Sequence, residues 1–313
     1  MLIDYRRRLS DSEKIHLDAC LVAVAAIEHQ VEQLLADHRK NSRRWYPHEI
    51  VPWGLGKDFN EIPWDAAQSP VRPDIVVALE TNLLTEDNLP YYHSRIETMV
   101  EANSVWSEWN RLWTSEEAAH AQTIRDYLHL MRVMDPKVME DNRRIIMQSG
   151  FDRTFSDPME LFAYTATQEL ATRISHLRAG QKADEPIALR IFSTIARDEN
   201  FHFIFYRGVV KALLDIVPEL MLPAIMNQFY SFSMPGTGMS NYELRQAIIA
   251  DAGIYGTREH RDMVILPLIK YWDIAGIKNL SSGLQKIQSR ILRIEQVLDR
   301  MVERQDRAQR KTD

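Results

Sequence analysis

Apolar residues recur at helical spacing along nearly the whole chain, and there is almost none of the sustained two-residue alternation that a half-buried strand requires. A first amphipathic helix is predicted over 12–39, with Ile15, Leu21, Val22, Ala25, Ile27, Leu34 and Leu35 among its apolar positions. An irregular connection is predicted over 40–73. There, five prolines and two glycines interrupt any helical repeat, while three tryptophans need surface to pack against. Further helices are predicted at 74–101, 103–134, 137–149, 157–179, 184–213, 217–233, 240–252, 257–275 and 282–306. Their breaks fall at Asp135-Pro136, Ser149-Gly150, Ala179-Gly180 and Pro218. Ser156 or Asp157 is placed to cap the helix that opens at Pro158, since proline is tolerated in a first turn. The pattern predicts an all-α fold in one domain over 1–313, with a helical bundle and flanking helices over 74–275. A charged C-terminal helix and tail occupies 276–313 and is expected to fray at its end.

Composition narrows the class without naming a function. At 45% hydrophobic and 26% charged residues, with a mean hydropathy of −0.33, the chain has ample core material for a globular protein. A formal charge of −6 argues against nonspecific nucleic-acid binding as the main role. No segment approaches the roughly 18 uninterrupted apolar residues of a membrane helix. The basic N-terminus MLIDYRRRLSDSEK has no apolar stretch behind it, so a cytoplasmic location is expected. The lone Cys20, in DACLVAVAAIEH, reads as a small buried residue and leaves any metal to oxygen and nitrogen ligands.

The chemistry lies in paired carboxylates and histidines. Glu117 and His120 are three residues apart, as are Glu199 and His202, so on a helix each pair shares one face. One such pair is weak, because chance alone supplies roughly one in a chain of this composition. Glu13–His16 is that decoy. What distinguishes the other two pairs is the carboxylate that precedes each: Glu86 stands 31 positions before Glu117, and Glu169 stands 30 before Glu199. Such a spacing accommodates half a helix, a turn and half an antiparallel partner. Two such hairpins would gather four carboxylates and two imidazoles around one centre, as in di-metal helical bundles. This ligand set, without thiolate, suits iron or manganese better than zinc or copper. Asp198, next to Glu199, is placed to bond a ligand imidazole. Thr172, one turn after Glu169, could point its hydroxyl at the centre or bond its own helix.

At these residues the sequence resembles the soluble acyl-[acyl-carrier-protein] desaturases, most closely the actinobacterial branch. The likeness runs from Trp45 to about Ile294 and includes TEDNLPYYH (85–93), QELATRISH (168–176), DENFHFIFYR (198–207), SMPG (233–236) and GIYGTREHRDMVILPLIKYW (253–272). RWYPHEIVPW (44–53) is similar to the family's Trp-x-Pro-x-Asp-Phe-x-Pro segment. The resemblance implies a ferritin-like four-helix bundle core with additional flanking helices and a di-iron centre. It implies oxygen-dependent removal of two hydrogens from a saturated fatty acyl chain on acyl carrier protein, with electrons from ferredoxin or a similar donor, in a homodimer. Carried over residue by residue, the iron ligands are Glu86, Glu117, His120, Glu169, Glu199 and His202. Trp45 matches the residue that relays electrons through Asp198 to His120, and Thr172 the residue that handles protons.

Met99, Trp106 and Phe162 are candidates to line an acyl slot, and Arg72, Arg95 and Arg207 to meet an acidic carrier protein. The chain departs from many relatives at Ala118, Ala119 and Ala121, and from the plant forms at Asn200-Phe201, which places the difference beside the ligands. The competing readings are a di-iron oxygenase or hydroxylase acting on a carrier-bound substrate, and a ferritin-like iron-binding protein.

Overall fold

The computed structural model describes residues 8–100, 103–151 and 153–309, and among them every regular element is helical. In chain order the main helices are α1 (Asp11–Ala26), α2 (Glu28–Asn41), α3 (Pro73–Glu86), α4 (Leu89–Glu97), α5 (Val105–Leu130) and α6 (Pro136–Ser149). They continue with α7 (Pro158–Lys182), α8 (Pro186–Ile216), α9 (Pro218–Ser231), α10 (Tyr242–Asp251), α11 (Ser282–Leu292) and α12 (Ile294–Gln309). Helices α3, α5, α8 and α7 close a four-membered ring: α3 packs on α5 and α7, and α8 packs on the same two. Around this bundle, α2 lies on α5 and α8, α9 on α7, and α6 and α10 on α3.

The starts of the bundle helices follow the predicted chemistry. Pro73, Pro158 and Pro186 stand at first positions, where a missing N–H costs nothing. Asp157 is the cap of α7, its carboxylate accepting from Glu160 N at 3.0 Å. Glu185 caps α8 through Ile187 N and Ala188 N.

Several predicted boundaries move. The 12–39 helix breaks at Ile27, whose backbone (φ −100°, ψ 11°) leaves the helical region. The resulting 55° bend lets α1 reach α7 while α2 reaches α5. No single helix among the described residues is long and apolar enough to cross a membrane. The 74–101 helix ends at Glu86 and restarts as α4, whose second residue is Pro90. The 282–306 segment divides at Arg293. Within the predicted 257–275 helix, His260–Ile265 is a π-helical stretch that leads into Pro267, a residue with no N–H to donate. The expected fraying of the extreme C-terminus concerns 310–313, outside the described residues.

Gly180 is the instructive correction. It was expected to stop a helix, yet α7 continues through it to Lys182. A Cβ at Gly180 would stand 2.7 Å from Phe192 Cβ of α8, so the glycine serves the close approach of the two helices. Helix propensity alone would make Gly180→Ala stabilising by about 1 kcal/mol. Overpacking at a helix crossing costs about 1–3 kcal/mol and should prevail. The variant is therefore expected to melt a few degrees lower by circular dichroism; an unchanged or raised Tm would show that the contact is soft.

Candidate metal centre

The bundle brings the six predicted residues together from four helices. Glu86 is the last residue of α3, Glu117 and His120 come from α5, Glu169 from α7, and Glu199 and His202 from α8. All six are buried, none more than 6% exposed. Their potential ligand atoms form two sets, Glu86–Glu117–His120–Glu199 and Glu117–Glu169–Glu199–His202, each within 4.8 Å. Glu117 and Glu199 belong to both sets, as carboxylates do when they bridge two ions.

The inward nitrogen of each imidazole is Nδ1. His120 Nδ1 lies 3.2 Å from Glu117, 3.6 Å from Glu199 and 3.9 Å from Glu86. His202 Nδ1 lies 2.9 Å from Glu117, 3.5 Å from Glu199 and 3.7 Å from Glu169. Despite these distances, His202 Nδ1, Glu169 Oε2 and Glu199 Oε2 have no hydrogen-bond partner among the described residues. Buried polar atoms are rarely left unpaired, and here they face one another across a common space. That geometry, with four carboxylates to offset two divalent charges, fits a pair of metal ions.

The electrostatics point the same way. Burial, reinforced by Glu117 and Glu199, pushes the Glu86 carboxyl well up. Burial and Glu199 do the same to Glu169. Glu117 and Glu199 are lowered: burial works against their charge, but the two imidazoles outweigh it. His120 and His202 are in turn raised by the surrounding carboxylates in spite of burial.

The outward nitrogens are held by a crossed arrangement. Asp198, beside Glu199 on α8, places Oδ2 3.5 Å from His120 Nε2 and accepts from the Trp45 indole N–H at 2.5 Å. Glu116, beside Glu117 on α5, lies 2.9 Å from His202 Nε2 and 3.0 Å from His38 Nε2. Although burial pushes the Glu116 carboxyl up, these two imidazoles hold it at about 2. The sequence reading found Asp198 and missed Glu116, though both motifs read acid-Glu-x-x-His. It also missed His176, two turns after Glu169, whose Nε2 lies 2.9 Å from Glu86 Oε1. Burial lowers His176 to about 4, which keeps it neutral beside Glu86. Trp113 is a further supporting residue, its indole N–H donating to Glu169 Oε1 at 3.2 Å.

Other expectations fare less evenly. Thr172 is buried, but its hydroxyl donates to Gln168 O at 2.9 Å on its own helix. Only the α7–α8 unit is the anticipated hairpin, with Glu169 and Glu199 about equally far from its turn; α4 intervenes between Glu86 and Glu117. The decoy is structural: Glu13 completes a capping box with Ser10, and His16 bonds Asp157 at 3.0 Å. Cys20 is fully buried, its thiol pushed up to about 12 chiefly by that burial. Ala118 is exposed and Ala119 lines a surface groove, so the side chains that border the ligand imidazoles are Asp198, Glu116, Trp45 and His38.

Beside the centre lies a narrow, mostly apolar cavity of about 30 Å³, lined by Tyr92, Ile96, Trp113, Leu161, Thr165 and Gln168, among others. Met99, Trp106 and Phe162 are not in its wall; Trp106 and Phe162 stack on each other at 4.9 Å in the core. Of the three candidate arginines only Arg95 adjoins it. Arg72 pairs with Asp74 at 2.9 Å, and Arg207 lies over the Tyr271 ring at 4.2 Å.

A family model described as "Fatty acid desaturase" matches residues 21–313. The chain belongs to the fatty acid desaturase family. It is 36% identical over 259 residues to "Putative acyl-[acyl-carrier-protein] desaturase DesA1" of Mycobacterium tuberculosis, covering 79% of this chain and 77% of that one. It is 28% identical over 295 residues to the chloroplastic stearoyl-[acyl-carrier-protein] 9-desaturase of Spinacia oleracea, covering 87% and 73%. The X-ray structure of DesA2 from Mycobacterium tuberculosis superposes with a TM-score of 0.68 at 25% identity, over 85% of this chain and 99% of that one. The desaturase fold is thus the fold of this chain, and the chain is an oxidoreductase.

Because Glu117 and Glu199 serve both ligand sets, Glu117→Ala should lower bound iron from about two ions per chain to below one. Glu86→Ala touches one set and should leave about one. Elemental analysis of iron-loaded protein distinguishes these outcomes; equal metal content in the two variants would contradict the shared role.

Proposed function

We propose that this desaturase introduces a cis double bond into a saturated fatty acyl chain carried on acyl carrier protein, using oxygen, a di-iron centre and a ferredoxin-type donor, and that it works as a homodimer. The observation that carries the reading is the apolar cavity against the six-residue cluster: Trp113 lines the cavity and at the same time bonds Glu169. Iron storage alone has no use for such a slot.

Glu86, Glu117, His120, Glu169, Glu199 and His202 would hold two irons, which supply the oxidising power that an unactivated methylene C–H requires. The cavity wall excludes water and fixes which carbon of the chain lies beside the centre, so position rather than inherent reactivity selects the bond. Trp45, Asp198 and His120 form a continuous contact from the surface inward, and Trp45 stacks parallel to the His120 ring with centroids 6.1 Å apart. The groove over Trp45 is also lined by Arg39, Arg43 and Arg44, a basic rim suited to an acidic electron donor. Thr172 is assigned proton handling one turn from Glu169; facing the centre requires it to give up its bond to Gln168 O.

The test is product analysis. Iron-loaded protein with oxygen, reduced ferredoxin and a series of acylated carrier proteins should yield an acyl product lighter by two hydrogens. A hydroxylated product would favour the oxygenase reading, and iron uptake without acyl conversion a binding protein. Trp45→Phe should keep its iron yet lose about tenfold or more in ferredoxin-driven turnover. Undiminished turnover would remove Trp45 from the electron route.

A further inference from the structure

The wall of the cavity beside the centre is mostly apolar, with Thr165 and Gln168 on α7 and Tyr92 and Arg95 on α4 as polar members. Tyr92 and Arg95 are three residues apart on α4, so both point from one face of that helix, and both line the cavity. The Tyr92 hydroxyl is buried beside the Asn88 side-chain amide without completing a well-aligned hydrogen bond to it, and Asn88 Oδ1 is likewise unpaired. Arg95 forms no ion pair or side-chain hydrogen bond with any described residue. Three other buried or half-buried arginines are satisfied by polar partners, Arg132 by Gln68, Lys57 and Ile62, Arg143 by Asp87 and Glu140, and Arg245 by Glu80, while Arg207 lies over the Phe203 and Tyr271 rings. An unpaired cation and a phenol hydroxyl one turn apart, in a mostly apolar wall, form a receptor for an oxyanion. A plain hydrocarbon chain would offer neither of them a partner.

We propose that the acyl group accepted by this cavity carries a carboxylate, received by the Arg95 guanidinium with the Tyr92 hydroxyl as second donor. The proposal rests on the reading of the protein as an acyl-carrier desaturase and specifies its substrate class. A carboxylate matches the planar fork of arginine in a way a thioester or hydroxyl does not. The phosphodiester of the carrier's pantetheine arm has related chemistry. The carboxylate is favoured because the cavity that Tyr92 and Arg95 line is also lined by Trp113, which bonds Glu169, so the receptor lies beside the reacting centre.

The test compares carrier proteins bearing a stearoyl group, a dicarboxylic acyl group of equal length, or the bare pantetheine arm. Binding and double-bond formation are each measured with wild type, Arg95→Met and Arg95→Lys. Wild type should bind the dicarboxylic form about tenfold or more tighter than the stearoyl form. Arg95→Met should abolish or invert that preference, and Arg95→Lys should restore part of it. A preference that is the same in wild type and Arg95→Met overturns the proposal and leaves Arg95 as wall. An equal loss for all three carriers in Arg95→Met assigns the cation to the arm phosphate and also overturns it. If stearoyl chains are desaturated without any dicarboxylic preference, the desaturase reading stands and this one falls. If no acylated carrier is bound or converted, both fall.

Discussion

The constraint on which this structure turns is the burial of four carboxylates and two imidazoles in one small volume of an otherwise apolar bundle. Unpaired, each buried charge would be costly enough to shift its protonation rather than persist. The arrangement answers in layers. Imidazole nitrogens sit among the carboxylates, the outward nitrogens find Asp198 and Glu116, and neutral His176 and the Trp113 indole steady Glu86 and Glu169. Metal charge would complete the neutralisation. Helices α3, α5, α7 and α8 must then stay in one register, and the close α7–α8 crossing at Gly180 fixes Glu169 against Glu199.

Much of this was legible in the sequence because ligand spacing and helix period are commensurate. Glu-x-x-His puts two donors on one helix face wherever the helix lies, and a preceding carboxylate about thirty residues back is hard to obtain twice by chance. All six proposed ligands converge where that spacing predicted. Glu116 was legible too, since the acid before each Glu-x-x-His repeats, but its value appears only when the motifs are crossed: each acid serves the other motif's histidine. His176 was available as a residue two turns after Glu169 on the same face. What periodicity could not show was which apolar positions line a cavity. Trp106 and Phe162 have the same pattern as a slot wall and instead pack on each other, because helical spacing reports burial and not what lies across the interface.

The helix boundaries show the same division. Caps and prolines gave the starts of α7 and α8 to within two residues, because Asp157 and Glu185 satisfy orphan N–H groups locally. The break at Ile27 has no proline, glycine or cap behind it. It follows from a tertiary demand, that one N-terminal segment cover faces of α7 and α5 that point in different directions. Gly180 was misread for the related reason that a glycine near a helix end suits termination and close packing equally well, and only the position of Phe192 decides.

The two halves of the centre are alike in ligands and unlike in what stands behind them. Behind His202, Glu116 is tied to His38 on α2, and His38 is buried against Trp109 with ring centroids 4.9 Å apart. Glu116 itself reaches the same groove that Trp45 and Asp198 line. Behind His120, Asp198 is tied to Trp45 from the irregular 40–73 connection, whose indole borders a groove open to solvent and rimmed by arginine. The tryptophan-rich segment of short helical turns therefore places an indole against one histidine, where the other has His38 and Trp109 behind its carboxylate. On the opposite flank, α4 interrupts the Glu86-to-Glu117 connection and supplies Tyr92 and Arg95 to the cavity. The residues that spoil the duplication thus make the two flanks of the centre chemically unlike, one an indole beneath an arginine-lined groove and the other a mostly apolar cavity.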